Sequence, residues 1–303
     1  MNTDLEFVDV AFRTGRHRTL DGLTIEYRDY SSGQATDGPT VICLHGLTRN
    51  LRDFEDVAPR IAALGFRVIV PSQRGRGGSD YDPNPDNYHP GQYAEDMIGL
   101  LDSLKIKKAF FVGSSMGGIM TMLISQTRPD LIIGAVLNDI GIALDPVGVD
   151  RIMGYVGAAK SFVTWQEAAR ACRATNGHAF PLETSPQYWE QFARRVCVER
   201  EGGEIEFDYD LNIAVPTQNA HAVVPDFTDA FKCLAQKPVL LVRGETSDLL
   251  ARETVKAMAA IHPSLEVFEV ANIGHVPFLS EPEAWRTLAR FLTRVFSKER
   301  SNE

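Results

Sequence analysis

Long hydrophobic runs are the first thing this 303-residue sequence lacks. A membrane helix needs about 18–20 consecutive apolar residues. The longest candidate, LIIGAVLNDIGIAL from Leu131, is interrupted by Asn138 and Asp139. The amino-terminal stretch MNTDLEFVDVAFRTGRHR alternates charged and apolar residues and has no signal-peptide core. Cysteine is scarce: Cys43, Cys172, Cys197 and Cys233 lie far apart with no CxxC pair, which argues against zinc and against a disulfide framework. A reducing, cytoplasmic location is expected. Positive charge is also short, with 31 Lys and Arg against 40 Asp and Glu and a net charge of −9. A nucleic-acid binder carries a basic face, so that class is disfavoured. Repeats and low-complexity segments are absent. The expected partner is a small-molecule substrate, with no nucleic acid and no membrane, and the oligomeric state is not legible.

What is present is an alternation of short apolar runs with longer amphipathic ones. EFVDVAF and LTIEYRDY read as two strands, an antiparallel pair at the start. TVICLH, FRVIVP, KAFFVG, LIIGAVLND, PVLLVRG and LEVFEV read as further strands, most of them buried. LRDFEDVAPRIAALG reads as one helix with Leu51, Phe54, Val57 and Ile61 on a face and Gly65 as its stop. YAEDMIGLLDSL, MGGIMTMLISQ, ETVKAMAAI and AWRTLARFLTRVF supply the other helices. This rhythm implies an α/β fold, a mostly parallel central sheet with helices on both faces. It breaks between residues 142 and 232, where DRIMGYVGAAK, TWQEAARACRA and SPQYWEQFARRVCVE look helical and the acids of EIEFDYD suggest a solvated edge. We therefore expect a core of residues 1–141 and 233–303 with an inserted helical cap over 142–232.

Two serines between three glycines, in FFVGSSMGGIM, carry the chemistry. A G-x-S-x-G match arises by chance about 0.1 times in a chain this long at ~7% usage of each residue. Its place after a buried strand and at the opening of a helix is the setting of a nucleophile elbow. There the residues two before and two after the serine must be small, which accounts for Gly113 and Gly117 and selects Ser115 over Ser114. A phosphate cradle is the competing reading, but both G-x-G-x-x-G and a P-loop lysine are missing.

A serine hydroxyl needs a base. His17 and His89 sit in polar contexts, His178 and His221 in the insertion, and His262 beside a proline. His275, in NIGHVPFLSEP between the last strand and the last helix, stands where the third member of the order Ser…acid…His belongs. For the carboxylate that orients it, Asp248 in VLLVRGETSDLL is favoured; Glu245 is a neighbour, and Asp139, at the end of GAVLND, is the alternative acid. The turn after VICLHGL would present the Leu47 N–H, which with the Met116 N–H would form an oxyanion hole. His45 would shape that loop.

HGLTRN, PSQRGRGGSD, GSSMGG, RGETSD and GHVPF, in this order, resemble the α/β-hydrolase fold superfamily from about residue 20 to the end. The resemblance implies a serine-nucleophile branch with the insertion as a lid, and PSQRGRGGSD as a structural turn after the fourth strand. Epoxide hydrolases and haloalkane dehalogenases of this fold use an aspartate at the elbow, where this chain has Ser115. The expected activity is cofactor-independent acyl transfer on a small carboxylic ester or lactone, with aromatic residues of the insertion favouring apolar or aromatic acyl groups. Alternatives are a C–C bond hydrolase of ring-fission products, a cofactor-free oxygenase or perhydrolase, and a non-catalytic small-molecule receptor. No metal is expected.

Overall fold

The computed structural model describes residues 10–31, 39–158, 160–216 and 226–302. Strands β1 (Phe12–Arg18) and β2 (Thr24–Tyr30) form the antiparallel pair, with Gly15 opposite Tyr27. The first strand lies later than EFVDVAF implied, and residues 6–9 of that stretch fall outside the described residues. The reason is exposure: β1 is a sheet-edge strand, FRTGRHR, whose residues are mostly open to solvent and show no apolar alternation.

β3 (Thr40–Leu44) leads through a 3₁₀ turn, Leu51–Phe54, to α1 (Ala58–Ala63) and β4 (Arg67–Pro71). The single helix expected over 51–65 is thus two pieces. Pro59 lacks an N–H and its ring crowds the preceding turn, so it can only open a helix, and α1 begins there. Next come α2 (Pro90–Ser103), β5 (Ala109–Ser114), α3 (Met116–Thr127) and β6 (Ile132–Asn138). After β6 the chain leaves the sheet and builds α4 (Pro146–Met153), β7 (Ser161–Phe162), α5 (Trp165–Asn176), α6 (Pro186–Val196), β8 (Cys197–Glu199), β9 (Ile205–Phe207) and α7 (Thr228–Lys232). It returns as β10 (Val239–Gly244), α8 (Arg252–Ile261), β11 (Glu266–Val270) and α9 (Pro282–Asn302).

The main sheet has the order β1-β2-β4-β3-β5-β6-β10-β11, parallel from β4 onwards. One face packs Tyr93, Met97, Ile119 and Met120 of α2 and α3; the other packs Ile61 of α1 and Trp285, Leu288 and Leu292 of α9. This is why β3, β5 and β10 are buried throughout and largely apolar. β10 lies directly beside β6, so the intervening excursion starts and ends at neighbouring positions.

That excursion is not purely helical. β9 is the middle strand of a small sheet, β7-β9-β8; of the acids in EIEFDYD, Glu204 and Glu206 face solvent as expected, but Asp208 and Asp210 do not. Asp208 is buried and accepts from Arg52 Nη2 at 2.8 Å; buried Asp210 accepts from the Tyr88 hydroxyl at 2.6 Å. α4 starts earlier than the pattern suggested because Asp145 caps it, accepting from the Val147 N–H, and Pro146 follows. The aromatic residues here chiefly pack on one another. Trp189 is 2% exposed, donates to the Glu183 carbonyl, and lies 5.3 Å from Phe192 between ring centroids. Trp189→Ala is therefore expected to destabilise the fold by about 3–5 kcal/mol, read as a lowered denaturation midpoint. A shift in acyl preference with stability untouched would contradict that assignment.

Candidate active site

β5 ends at Ser114 and α3 begins at Met116, leaving Ser115 to turn the chain with φ 51° and ψ −115°. Such a conformation is costly for a residue with a Cβ and persists only where the surroundings hold it. Here the Ser115 N–H donates to the Asn138 carbonyl at 2.9 Å, and the Ser115 carbonyl accepts from Gly118 N at 2.8 Å. The glycines are needed on steric grounds. A Cβ on Gly113 would overlap the Gly117 backbone, and one on Gly117 would overlap the Leu44 carbonyl oxygen. Ser114 is occupied otherwise: its Oγ accepts from Asn138 Nδ2 at 2.9 Å. The same Asn138 amide donates to the Pro277 carbonyl at 2.7 Å and so ties the elbow to the loop that carries His275.

His275 Nε2 lies 2.9 Å from Ser115 Oγ, and its Nδ1 lies 2.9 Å from Asp139 Oδ2. Asp139 is fully buried, and its carboxylate also accepts from the Gly244 N–H at 2.9 Å and the Ser247 hydroxyl at 2.6 Å. A carboxylate surrounded by donors makes Nδ1 the protonated nitrogen of a neutral His275. Nε2 is then the acceptor for the Ser115 hydroxyl. The bond directions are those a general base requires.

Asp248, expected in Asp139's place, is elsewhere. It forms a two-pronged ion pair with Arg151 of α4, at 2.5 and 2.8 Å. Partial burial raises its pKa, but the Arg151 hydrogen bonds and charge outweigh this and hold the carboxyl below its ordinary value. Asp139 reaches the histidine because it leaves β6 with φ 54° while its N–H is held by the Val242 carbonyl of β10. The RGETSD loop contributes Ser247 and the Gly244 N–H, not a carboxylate. Gly244 also lets the His275 loop come close, since a Cβ there would overlap the Gly274 carbonyl.

On the opposite side of the elbow runs the turn after β3. A Cβ placed on Gly46 would stand 3.7 Å from Ser115 Cβ and 3.6 Å from Arg49 Cγ, so this turn lies against the serine. The N–H groups of Leu47 and Met116 are engaged in no hydrogen bond among the described residues. His45 is buried; its Nε2 accepts from Gln73 N at 3.0 Å, so its Nδ1 carries the proton and donates to the Gly46 carbonyl at 2.8 Å. Burial pushes its pKa down to about 3. The unfolded chain binds a proton there below about pH 6.5 and the folded chain does not, so stability is complete above 6.5. It is lost as the pH falls towards 3, by up to roughly 1.4 kcal/mol per pH unit. Melting curves of His45→Gln against pH should accordingly show a shallower acid limb than the parent; an identical limb would refute the assignment.

Arg76, from the turn after β4, supports the Leu47 turn, donating Nε to the Leu47 carbonyl at 3.0 Å and Nη1 to the Tyr93 hydroxyl at 2.9 Å. In the turn after β4, buried Arg74 binds Asp21, Asp82 and Asp96. Of the remaining histidines, His17 lies in β1, His89 caps α2, His262 bonds the Lys237 carbonyl, and His221 is outside the described residues. His178, after α5, stands near Arg151, Asp248 and His275, and burial and the Arg151 charge hold its pKa below the ordinary value. The described cysteines are all free thiols. Ser247 and Arg151 carry no signal in the sequence, and Asn138 stands out there only as a polar residue interrupting an apolar run.

The family model described as the alpha/beta hydrolase fold matches residues 39–282. The chain belongs to this family. It is 31% identical over 296 residues to a 3-hydroxybutyrate-oligomer hydrolase of Cupriavidus necator, covering 95% of this chain and 97% of the relative. It is 27% identical over 273 residues to a 2-(acetamidomethylene)succinate hydrolase of Mesorhizobium japonicum, covering 88% and 91%. Among solved structures, an alpha/beta hydrolase from Novosphingobium aromaticivorans superposes with a TM-score of 0.87 at 40% identity, over 94% of this chain and 99% of that one. These relatives are hydrolases, and hydrolase activity is the coarse function they support. No described helix is long and apolar enough to cross a membrane.

Proposed function

We propose that this hydrolase is a serine esterase that cleaves short hydroxyacyl esters by acyl transfer. One observation carries the reading: Ser115 Oγ, His275 and Asp139 form a continuous hydrogen-bonded series with 2.9 Å at each link. In the first step Ser115 Oγ attacks the ester carbonyl carbon as its proton passes to His275 Nε2. Asp139 balances the imidazolium, and the carbonyl oxygen, now negative, takes hydrogen bonds from the Leu47 and Met116 N–H groups. The tetrahedral adduct expels the alcohol, which receives the proton from His275. Water then adds to the acyl-enzyme by the same route, and the acid leaves with Ser115 restored. No cofactor takes part in this scheme.

The hydroxyacyl class is supported by the 3-hydroxybutyrate-oligomer hydrolase, whose similarity extends over almost the whole of both chains. The anticipated apolar or aromatic acyl group has less support, because most aromatic rings of the insertion are used in packing. We assign residues 142–232 to a cap held on the core by Arg151–Asp248, Arg195–Asp56 and Arg52–Asp208. The test is a fluorophosphonate probe together with a panel of hydroxyacyl, simple alkyl and lactone substrates. One label per chain at Ser115 and turnover of the linear hydroxyacyl esters is the expected result. Labelling that survives Ser115→Ala and is lost in Ser114→Ala would displace the nucleophile.

A further inference from the structure

Between the Leu47 turn and the inserted segment is a cavity of about 30 Å³. Its lining includes two cations, Arg49 and Lys160, hydrogen-bonding groups such as Thr48 and Tyr155, and no acidic residue among the described residues. That is unusual company in a chain whose net charge is −9. The volume suits roughly two water-sized groups, the size of one carboxylate.

Arg49 is the informative residue. It is only 8% exposed, and its guanidinium lies over the Phe192 ring at 4.6 Å and the Phe278 ring at 5.5 Å. The rings fix the plane of the group and remove water from it. Its Nη1 donates to Asp53 Oδ1 at 3.1 Å, while Nε and Nη2 have no acceptor among the described residues. A largely buried guanidinium with two donors that no protein group takes up is complementary to a planar anion. Its stem and Ser115 Cβ flank the same glycine, Gly46, so Arg49, which lines the cavity, belongs to the turn that lies against the nucleophile. Arg76, the other arginine of this region, donates Nε to the Leu47 carbonyl and Nη1 to the Arg74 carbonyl and the Tyr93 hydroxyl; its buried Nη2 has no partner among the described residues, but Arg76 does not line the cavity.

We propose that this cavity is a carboxylate subsite, and that the ester substrate carries a free carboxylate which Arg49 binds through Nε and Nη2 while Lys160 adds a second positive charge. The inference rests on the esterase reading and narrows its substrate class. Uncharged esters would lack this anchor, and the enzyme would discriminate between them and acids of the same shape.

The experiment compares esters that differ only in that charge. One arm uses the linear dimer of 3-hydroxybutyrate against the same dimer with its carboxylate converted to a primary amide. The other uses mono-4-nitrophenyl glutarate against 4-nitrophenyl glutaramate, which moves the charge to the acyl side. The parent enzyme should favour the acid by at least about tenfold in kcat/KM in one arm, and that arm tells which side of the ester enters the cavity. Arg49→Gln should reduce the acid-to-amide ratio by about 10–100-fold, the range for losing hydrogen bonds to a charged group. Arg49→Lys should keep part of the preference, and Lys160→Gln should lower it less and in a salt-dependent way. Because Arg49→Gln leaves the buried Asp53 carboxylate unpaired, Arg49→Gln/Asp53→Asn is measured beside it. Equal kcat/KM for acid and amide in both arms overturns the inference and leaves the esterase standing. So does a ratio unchanged in the double variant. Turnover of no ester at all, with no labelling of Ser115, overturns the esterase and this subsite together.

Discussion

Ser115→Ala is expected to lower ester turnover by about 10⁴–10⁶, the range for removing the nucleophile from a serine triad. The neighbouring hydroxyl cannot take over. Ser114 Oγ is bonded to Asn138 Nδ2 at 2.9 Å, and it is the Ser115 hydroxyl that His275 Nε2 faces. The substitution removes one buried oxygen and keeps the Cβ that the strained elbow already accommodates, so the thermal midpoint should move little. Single-turnover kinetics on a nitrophenyl ester, with a circular dichroism melt beside it, give the measurement. Turnover within tenfold of the parent would mean that some other group attacks the carbonyl.

The second large effect is at Asp139. Asp139→Asn should reduce turnover by about 10³–10⁴, as losing the correct histidine tautomer does in related triads. The surroundings explain why the amide cannot substitute. Gly244 N–H donates to Oδ1, so an amide would keep its oxygen there and turn its NH₂ towards His275 Nδ1. The imidazole would then carry its proton on Nε2 and could not accept one from Ser115. Asp248→Asn should cost less than about tenfold. It weakens a partly exposed pair with Arg151, a kind of contact that contributes about 0–1 kcal/mol to stability. Both variants are to be measured on one ester with melting curves. The opposite order of losses would return the acid to Asp248.

Most strands and helices were legible because a parallel sheet covered on both faces leaves a strong imprint: TVICL and VLLVRG are buried at every residue. The small sheet of the insertion was not, because Ser161–Phe162, Cys197–Glu199 and Ile205–Phe207 are two or three residues long and show no period. The break at Pro59 was legible in principle, since proline has no N–H to continue a helix; the apolar spacing of Leu51, Phe54, Val57 and Ile61 masked it.

The sequence by itself determined the elbow. Gly113, Ser115 and Gly117 are local in the chain, so position after a strand was enough to pick them out, although the overlap that requires Gly117 is with Leu44 of the neighbouring β3. It also marked His275 and the HGL turn, each of which follows directly from the strand or helix beside it. Which of two aspartates meets His275 was decided only in three dimensions. Asp139 and Asp248 each follow a strand, and β6 and β10 are neighbours, so both emerge at the same end of the sheet. What separates them is non-local: Gly244 and Ser247 turn their donors onto Asp139, while Arg151, nearly 100 residues before Asp248 at a separation of 97, claims the other carboxylate. The arginines were sorted in the same way. Nothing in their local sequence distinguishes Arg76, which spends Nε and Nη1 on carbonyls and the Tyr93 hydroxyl, from Arg49, which lies against Phe192 and Phe278 and lines the cavity, because that difference depends on rings and carbonyls brought from distant parts of the chain.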